Sequence, residues 1–219
     1  MSGPSVEQCT AEDIPELANI LSASFMHVQP IIDLLFPEHD TTGRQLTLDR
    51  LQAWFASSGE RTNFLKATID NKIIGWGIWT YMTTSDATST DLTTIQDVAA
   101  GWPDEKDQRF AKELWACYPV PRRAAVEAAG ENGLWALEMC CVHPSHERKG
   151  AGSAIVNWGA DKASEMGVDA VIEATRIGGP MYRKCGFEVE IERIEFEVDE
   201  EYGDRKVPEL FFMRKKPAA

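Results

Sequence analysis

The sequence lacks the features of an exported, membrane-bound or nucleic-acid-binding chain. No apolar run approaches the roughly 18 residues that a membrane span needs, and the first ten residues show neither the basic nor the apolar stretch of a signal peptide. Basic residues are few: 22 Lys and Arg stand against 35 Asp and Glu, which gives a net charge of -13. Such a surface repels phosphate backbones. We therefore expect no nucleic-acid partner, no membrane association and a cytoplasmic location.

Cysteine and histidine are also scarce, and their spacing fits no metal site. The five cysteines are an odd number without a CxxC pair, which argues against both a disulfide framework and a zinc site. The adjacent Cys140 and Cys141 would face opposite sides of a strand and lack a His–acid partner pattern, so we expect packing and not nucleophilic catalysis. None of the four histidines has metal spacing with another: His27, His39, His143 and His146. We expect no metal.

Hydrophobic periodicity predicts a mixed α/β domain. At 43% apolar residues, the chain can fill a substantial core. The pattern predicts helices over 10–25, 44–57, 106–129, 152–166 and 180–184, of which 106–129 is interrupted near Pro119 and Pro121. It predicts strands over 63–69, 72–82, 134–142, 170–174, 187–198 and 209–214. Asp70-Asn71 is typical of a hairpin turn. We expect one domain over 1–219, with an insertion at about 83–133 that covers one side of it.

The segment from Cys141 to Ser153 carries a candidate anion site. A predicted strand runs through His143-Pro144 into a turn with Gly150 and Gly152, and then into a helix. The free N–H groups and the dipole at a helix start favour phosphate, and glycines allow the close approach of a pyrophosphate. Two glycines in a turn are a weak signal alone.

A second segment follows about thirty residues later and reads Met181-Tyr-Arg-Lys-Cys-Gly-Phe187. The pair Glu147-Arg-Lys-Gly-Ala-Gly152 and Tyr182-Arg-Lys-Cys-Gly-Phe187 resembles the GNAT acetyltransferase superfamily. Its first motif is a strand, Q/R-x-x-G-x-G/A and a helix, and its second is a short helix bearing Tyr-x-x-x-Gly-Phe. The resemblance is firm over roughly residues 134–190.

The resemblance implies a GNAT-like, mostly antiparallel central sheet with helices on both faces and acetyl-CoA as co-substrate. The strand backbone would pair with the pantetheine arm where two strands splay, the turn would wrap the pyrophosphate, and Tyr182 would protonate the departing thiolate. The implied cofactor-binding residues are Cys140, Cys141, Val142, Glu147, Arg148, Lys149, Gly150, Ala151, Gly152, Ser153 and Thr175. Two positions depart from the family: Glu147 replaces Gln or Arg, and Thr175 replaces a frequent Asn.

The resemblance also suggests a general base on the strand before the turn. An amine must lose a proton before it attacks a thioester. Glu138 lies between apolar Leu137 and Met139, so strand alternation points its side chain away from theirs. Either Glu138 is the base, with burial raising its pKa, or it is a solvated carboxylate and water relays the proton.

Candidate acceptor-site residues are Phe25, Trp76 and Trp79. The two tryptophans are three positions apart on one strand, which places them on opposite faces; one could stack on a cationic amine, although core packing is the commoner role. Phe25 and residues 26–36 occupy the place of the family's substrate wall. Arg122-Arg123 is either a solvated pair or a contact to the 3′-phosphate of CoA.

The function that these features favour is N-acetylation of a small-molecule primary amine by direct attack in a ternary complex. An acidic chain with a covering insertion suits a compact cationic acceptor. Acetylation of a protein lysine or N-terminus is an alternative, and an open groove would favour it. A catalytically silent acyl-CoA-binding module is another alternative. The protein would be a monomer or homodimer.

Overall fold

The structure is a computed structural model, and it describes residues 3–25, 30–36, 41–86, 102 and 104–218. The helices in this part of the chain are α1 (Ile14–Phe25), α2 (Pro30–Leu35), α3 (Thr41–Ser57), α4 (Glu105–Cys117), α5 (Val120–Ala129), α6 (Ala151–Met166) and α7 (Gly179–Lys184). The strands are β1 (Ser5–Gln8), β2 (Thr62–Ile69), β3 (Lys72–Met82), β4 (Leu134–Val142), β5 (Asp169–Thr175), β6 (Glu188–Ile191) and β7 (Leu210–Lys215).

These strands form one sheet in the order β1-β2-β3-β4-β5-β7-β6. Among the described strands β4 and β5 pair in parallel and every other neighbouring pair is antiparallel. The expected mixed α/β fold with a mostly antiparallel sheet is therefore confirmed. The predicted hairpin is present as well: Asp70 and Asn71 have φ values of 51° and 60°, as a two-residue turn of the I′ type requires.

Helices cover both faces of the sheet. Side chains of α1 to α5 belong to one core cluster with Trp76, Met139 and Cys141, while α6 and α7 pack on the other face with Trp79 and Leu137. Two buried indoles of β3 form hydrogen bonds with helices on the two faces of the sheet. Trp76 donates its N–H to the carbonyl of Leu17 on α1 at 2.9 Å, and Trp79 donates to the carbonyl of Ile155 on α6 at 3.0 Å.

Two features of the sheet differ from the prediction. The strand expected over 187–198 is a strand only over Glu188–Ile191, and the short strand Ser5–Gln8 was not predicted. The expected interruption of the helical segment 106–129 is confirmed, because α4 and α5 meet near Pro119 and Pro121. Among the described residues, no helix is long and apolar enough to cross a membrane.

Candidate active site

The site begins where β4 and β5 separate. β4 pairs with β3 over its full length, from Leu134 to Val142. Its parallel ladder with β5, in contrast, runs only from the pair Leu134 and Asp169 to the pair Leu137 and Ile172. Beyond that point the two strands diverge, so the edge of β4 over residues 138–142 faces a cleft. This is the splay that the family resemblance implied.

A β-bulge at Glu138 lies where β4 and β5 begin to separate, a feature that we call the fork. On β3, Ile78 pairs with Met139 and the next residue, Trp79, pairs with Leu137, so that Glu138 is the extra residue on β4. A bulge reverses the alternation of side chains beyond it. Leu137 and Met139 accordingly pack in clusters on opposite faces of the sheet. The expectation that they share one face, with Glu138 alone on the other, is therefore wrong.

The turn after β4 has the backbone of an anion site. A single 3₁₀ turn over Pro144–His146 leads to Arg148 with φ of 58° and to Gly150 with φ of 91°, which is the N-cap of α6. A Cβ built on Gly150 would have only the Pro4 ring nearby, at 3.7 Å. The first N–H groups of this 16-residue helix thus border open space, and a pyrophosphate fits their donor chemistry.

A cleft of about 740 Å³ extends from this turn to α7. Nine of the eleven expected cofactor-binding residues line it: Cys140, Val142, Glu147, Arg148, Gly150, Ala151, Gly152, Ser153 and Thr175. Cys141 is fully buried in the core beneath α1 instead, so its backbone alone is available to this side. Lys149 is directed to the Nδ1 atom of His146, 3.0 Å from its Nζ. The donor set suits an extended ligand with phosphates at one end.

A second, smaller cavity of about 60 Å³ adjoins the inner end of the cleft. Phe25, Cys140, Thr175 and Tyr182 line both spaces. The small cavity is closed by apolar side chains from α2 and β7 and by two carboxylates, those of Glu138 and Glu173. The assignment of Phe25 to the acceptor wall stays a prediction. Residues 26–29 of the predicted wall, with His27, lie outside the described residues, as does His39.

Tyr182 lies at the junction of the two spaces. Its ring packs edge-on against Phe187, with centroids 6.4 Å apart, and Thr175 supports the turn before it by accepting a hydrogen bond from the N–H of Gly178 at 3.1 Å. Burial raises the pKa of Tyr182 well above its usual value, and the nearby thiols of Cys140 and Cys141 add to the shift. The phenol therefore remains protonated near neutral pH, as a proton donor must.

Glu138 is neither solvated nor isolated. It is 5% exposed, and its Oε2 accepts a hydrogen bond from Nη1 of Arg122 on α5. The same guanidinium donates from Nε to Oε1 of Glu173 on β5 at 2.9 Å and from Nη2 to Oε2 of that residue. The expectation of a solvated arginine pair, or of a 3′-phosphate contact, is wrong for Arg122, which is 1% exposed. Arg123 is exposed.

Neither tryptophan reaches the site. Trp76 and Trp79 are fully buried on opposite faces of β3, as their spacing predicts, and each is held by the indole hydrogen bond described above. They are absent from the lining of both cavities. Their assignment to the acceptor site is corrected to core packing.

The cysteines at the cleft do not have the properties of nucleophiles. Burial raises the pKa of the Cys140 thiol to about 12 and holds that of the Cys141 thiol well above its usual value, so both are thiols near neutral pH. Within the described ranges, no group of three or more His, Cys, Asp and Glu side chains could hold a metal ion. What the residues bring together is a turn at a helix N-terminus, a phenol with a raised pKa and a pair of buried carboxylates.

Comparison with known proteins gives one family. The model of a family described as Acetyltransferase (GNAT) family matches residues 28–187, well over half of the chain. A protein from Stachybotrys chartarum described as an acetyltransferase is 38% identical over 69 residues. That alignment spans 30% of this chain and 30% of the relative, so it concerns only a part of either protein.

Solved structures of acetyltransferases share the fold. One is described as histone acetyltransferase HPA2 and related acetyltransferase from Corynebacterium glutamicum, with a TM-score of 0.62, 20% identity and coverage of 100% of this chain and 98% of that one. Another is a polyamine N-acetyltransferase of Drosophila melanogaster that forms N-acetylagmatine, with a TM-score of 0.63, 11% identity and coverage of 96% and 97%. Identities this low establish the shared architecture alone.

Proposed function

This chain belongs to the GNAT family of acetyltransferases, and on that premise we propose that it transfers the acetyl group of acetyl-CoA to the primary amine of a small molecule. One observation carries the proposal: the phosphate-binding turn and the buried carboxylates lie at opposite ends of two joined cavities, with Tyr182 where they meet. An acyl donor bound along the cleft and an amine held in the small cavity would meet beside the phenol of Tyr182.

The cleft residues have distinct roles toward acetyl-CoA. The N–H groups at the start of α6, from Gly150 to Ser153, would hold the pyrophosphate, and Arg148 adds positive charge to an otherwise acidic chain. The edge of β4 over residues 140–142 has no partner among the described strands. Its backbone groups would pair with the amides of the pantetheine arm, apart from the Val142 carbonyl, which accepts a hydrogen bond from the Ser24 hydroxyl at 2.8 Å. Glu147 lines the cleft but its carboxylate opposes phosphate, so we assign it no direct phosphate contact.

The reaction is a direct transfer. The deprotonated amine nitrogen attacks the thioester carbonyl carbon, a C–N bond forms and the C–S bond breaks. A backbone N–H near Val142 would polarise the carbonyl, and the Tyr182 hydroxyl gives its proton to the CoA thiolate. The proton of the amine goes to Glu138 or leaves through water. Glu138 is held at the inner cavity by the hydrogen bond that it accepts from Arg122, which places its carboxylate within the proposed acceptor site.

A small acceptor is supported by the shape and charge of the inner cavity. At about 60 Å³, it has room for the end of an aliphatic amine but not for a folded chain. Two carboxylates border it, and the protein carries a net charge of -13, which attracts ammonium ions. We further propose that the insertion, through α4 and α5, closes this end of the site, and that the reaction takes place in the cytosol.

The first experiment is titration calorimetry with acetyl-CoA on the native chain and on two variants of one glycine. Gly150→Asp and Gly150→Asn impose the same strain at φ of 91°, and both have room for a side chain, but only the first adds a charge. We expect the native chain to bind acetyl-CoA with micromolar affinity and Gly150→Asn to lower that affinity moderately. Gly150→Asp should lower the affinity at least a further tenfold, which corresponds to about 1.4 kcal/mol of binding free energy. Equal losses would remove the phosphate assignment.

A thiol-release screen of amines then decides among the acceptors. Turnover of small alkylamines would support the proposal. Turnover of peptide lysines or N-termini alone would favour a protein acceptor, the alternative to which the histone acetyltransferase relative points. Tight acetyl-CoA binding with no turnover of either class would identify a silent acyl-CoA-binding module.

A further inference from the structure

The buried ion pairs of Arg122 begin where the backbone ladder ends. The last paired residues of the parallel ladder are Leu137 on β4 and Ile172 on β5. The residues that follow them directly, Glu138 and Glu173, are the two that the Arg122 guanidinium binds. The side chain of Arg122 on α5 thus bridges β4 and β5 at the first pair of residues beyond the end of their backbone ladder.

The three residues of this cluster together carry an excess of one negative charge. Two carboxylates and one guanidinium sum to -1, and the side chains of all three residues are at most 1% exposed. The small cavity is bordered by both glutamates, whereas no lysine or arginine is among its lining residues in the described part of the chain. Burying ions is costly, and an apolar replacement is often equally stable. Such a cluster is therefore a candidate for a role in recognition.

We infer that Arg122 is a positioning residue, which holds Glu138 and Glu173 across the fork so that their excess negative charge recognises the acceptor as an alkylammonium ion. This inference rests on the proposed function and deepens it by naming the substrate class. It also assigns a purpose to α5, whose residues lie outside both sequence motifs.

The titratable groups around the cluster support this assignment. Burial alone lowers the pKa of Arg122, but Glu138 and Glu173 outweigh it and hold that pKa well above its usual range, so the guanidinium stays charged at every working pH. The other titratable groups that face the cavity are Tyr118, Cys140 and Tyr182. Tyr118 places its ring 5.9 Å from the guanidinium. Tyr182 and Cys140 have raised pKa values, and both are neutral near pH 7. The charge that faces the cavity therefore comes from the two carboxylates.

Steady-state kinetics with two acceptors test the charge of the cluster. Glu173→Gln brings it to zero with little change in volume. We expect the KM for a primary alkylamine to rise tenfold or more. The KM for an aromatic amine, which is uncharged at neutral pH, should change by less than twofold, as should the Kd for acetyl-CoA in calorimetry.

Variants of Arg122 test the positioning role. Arg122→Met leaves the two glutamates without the cation that holds them in place. We expect kcat/KM for the alkylamine to fall tenfold or more, while kcat/KM for the aromatic amine changes only a few-fold. Arg122→Lys, which can bind one carboxylate but not both bidentately, should recover part of the loss. Arg123→Met is the matched control, because that neighbouring side chain is exposed.

The outcomes separate this inference from the function on which it rests. If the native chain acetylates alkylamines while Glu173→Gln and both Arg122 variants match Arg123→Met in KM and kcat, the positioning role is wrong and the function stands. If the native chain binds no acetyl-CoA or acetylates no amine, both fail. Should Arg122→Met not fold, Glu173→Gln and Arg122→Lys still decide the question.

Discussion

Tyr182 offers the sharpest prediction at the scale of single residues. Its hydroxyl lies between the two cavities, and burial keeps its pKa well above the usual value. We expect Tyr182→Phe to lower kcat about 10²–10⁴-fold, the typical contribution of a positioned proton donor, with an unchanged Kd for acetyl-CoA. Because the raised pKa keeps the phenol protonated, kcat of the native chain should not decline through loss of this proton below about pH 10.

The same variant has a clear contradicting outcome. Phenylalanine retains the ring contact with Phe187, so the thermal midpoint should stay close to that of the native chain. If kcat stays within a few-fold of the native value, water protonates the thiolate and Tyr182 serves only to pack the site.

The role of a residue could be predicted from the sequence where it depends on the local backbone. It could not be predicted where it depends on partners that are distant in the chain. Gly150 and Tyr182 lie in short motifs whose meaning depends on a few neighbours, and the structure places both at the cleft. The environment of Glu138 depends on a bulge and on an arginine 16 positions earlier in the chain, and no spacing rule connects those two. Glu173 was missed for the same reason.

At the scale of elements, the packing of α6 on the sheet rests on Gly159. A Cβ on this residue would lie 2.2 Å from the indole of Trp79. Alanine normally favours a helix over glycine by about 1 kcal/mol, but here overpacking should outweigh that gain. We expect Gly159→Ala to lower the free energy of unfolding by about 1–3 kcal/mol, measured by urea denaturation.

A double-mutant cycle supplies the control. Trp79→Phe removes part of the opposing indole, so the same Gly159→Ala change should cost less in that background, with a coupling free energy of about 0.5 kcal/mol or more. A stabilising effect of the single variant would show that the helix moves away from β3 without penalty.

The error over 187–198 has its explanation in the apolar pattern. Val189 and Ile191 share one parity, whereas Ile194, Phe196 and Val198 share the other. The change of parity coincides with the end of β6, and the later side chains pack in the cluster on the opposite face of the sheet. A strand reverses its faces only at a bulge or a break, so the sequence did contain a signal that the regular strand is interrupted after Ile191.

At the scale of the whole molecule, charge should govern the response to salt. A net charge of -13 attracts an ammonium ion over distances comparable to the Debye length, which falls from about 10 Å at 0.1 M to about 3 Å at 1 M salt. We expect the KM for an alkylamine to rise several-fold over this range, measured with saturating acetyl-CoA. An aromatic amine of neutral charge should keep its KM, and an equal rise for both acceptors would contradict an electrostatic cause.

The sequence predicted which helices and strands are present more fully than it predicted how they are arranged in space. Apolar periodicity predicted most elements, and paired motifs predicted the mostly antiparallel sheet. The strand order β5-β7-β6 and the side chain of α5 that closes the fork depend on contacts between residues far apart in sequence. Such contacts are decided by shape and charge complementarity, which local patterns do not encode.

The fork between β4 and β5 also leaves a strand edge in the middle of the sheet. From Glu138 to Val142, one side of β4 carries backbone N–H and C=O groups beyond the end of its ladder with β5. An edge of this kind is a template for strand addition by another polypeptide, and proteins usually cover it. The pantetheine arm, with its two amides, is chemically a short strand. Acetyl-CoA would therefore cap this edge as well as donate the acetyl group, so that occupancy of the cleft also protects the protein against edge-to-edge aggregation.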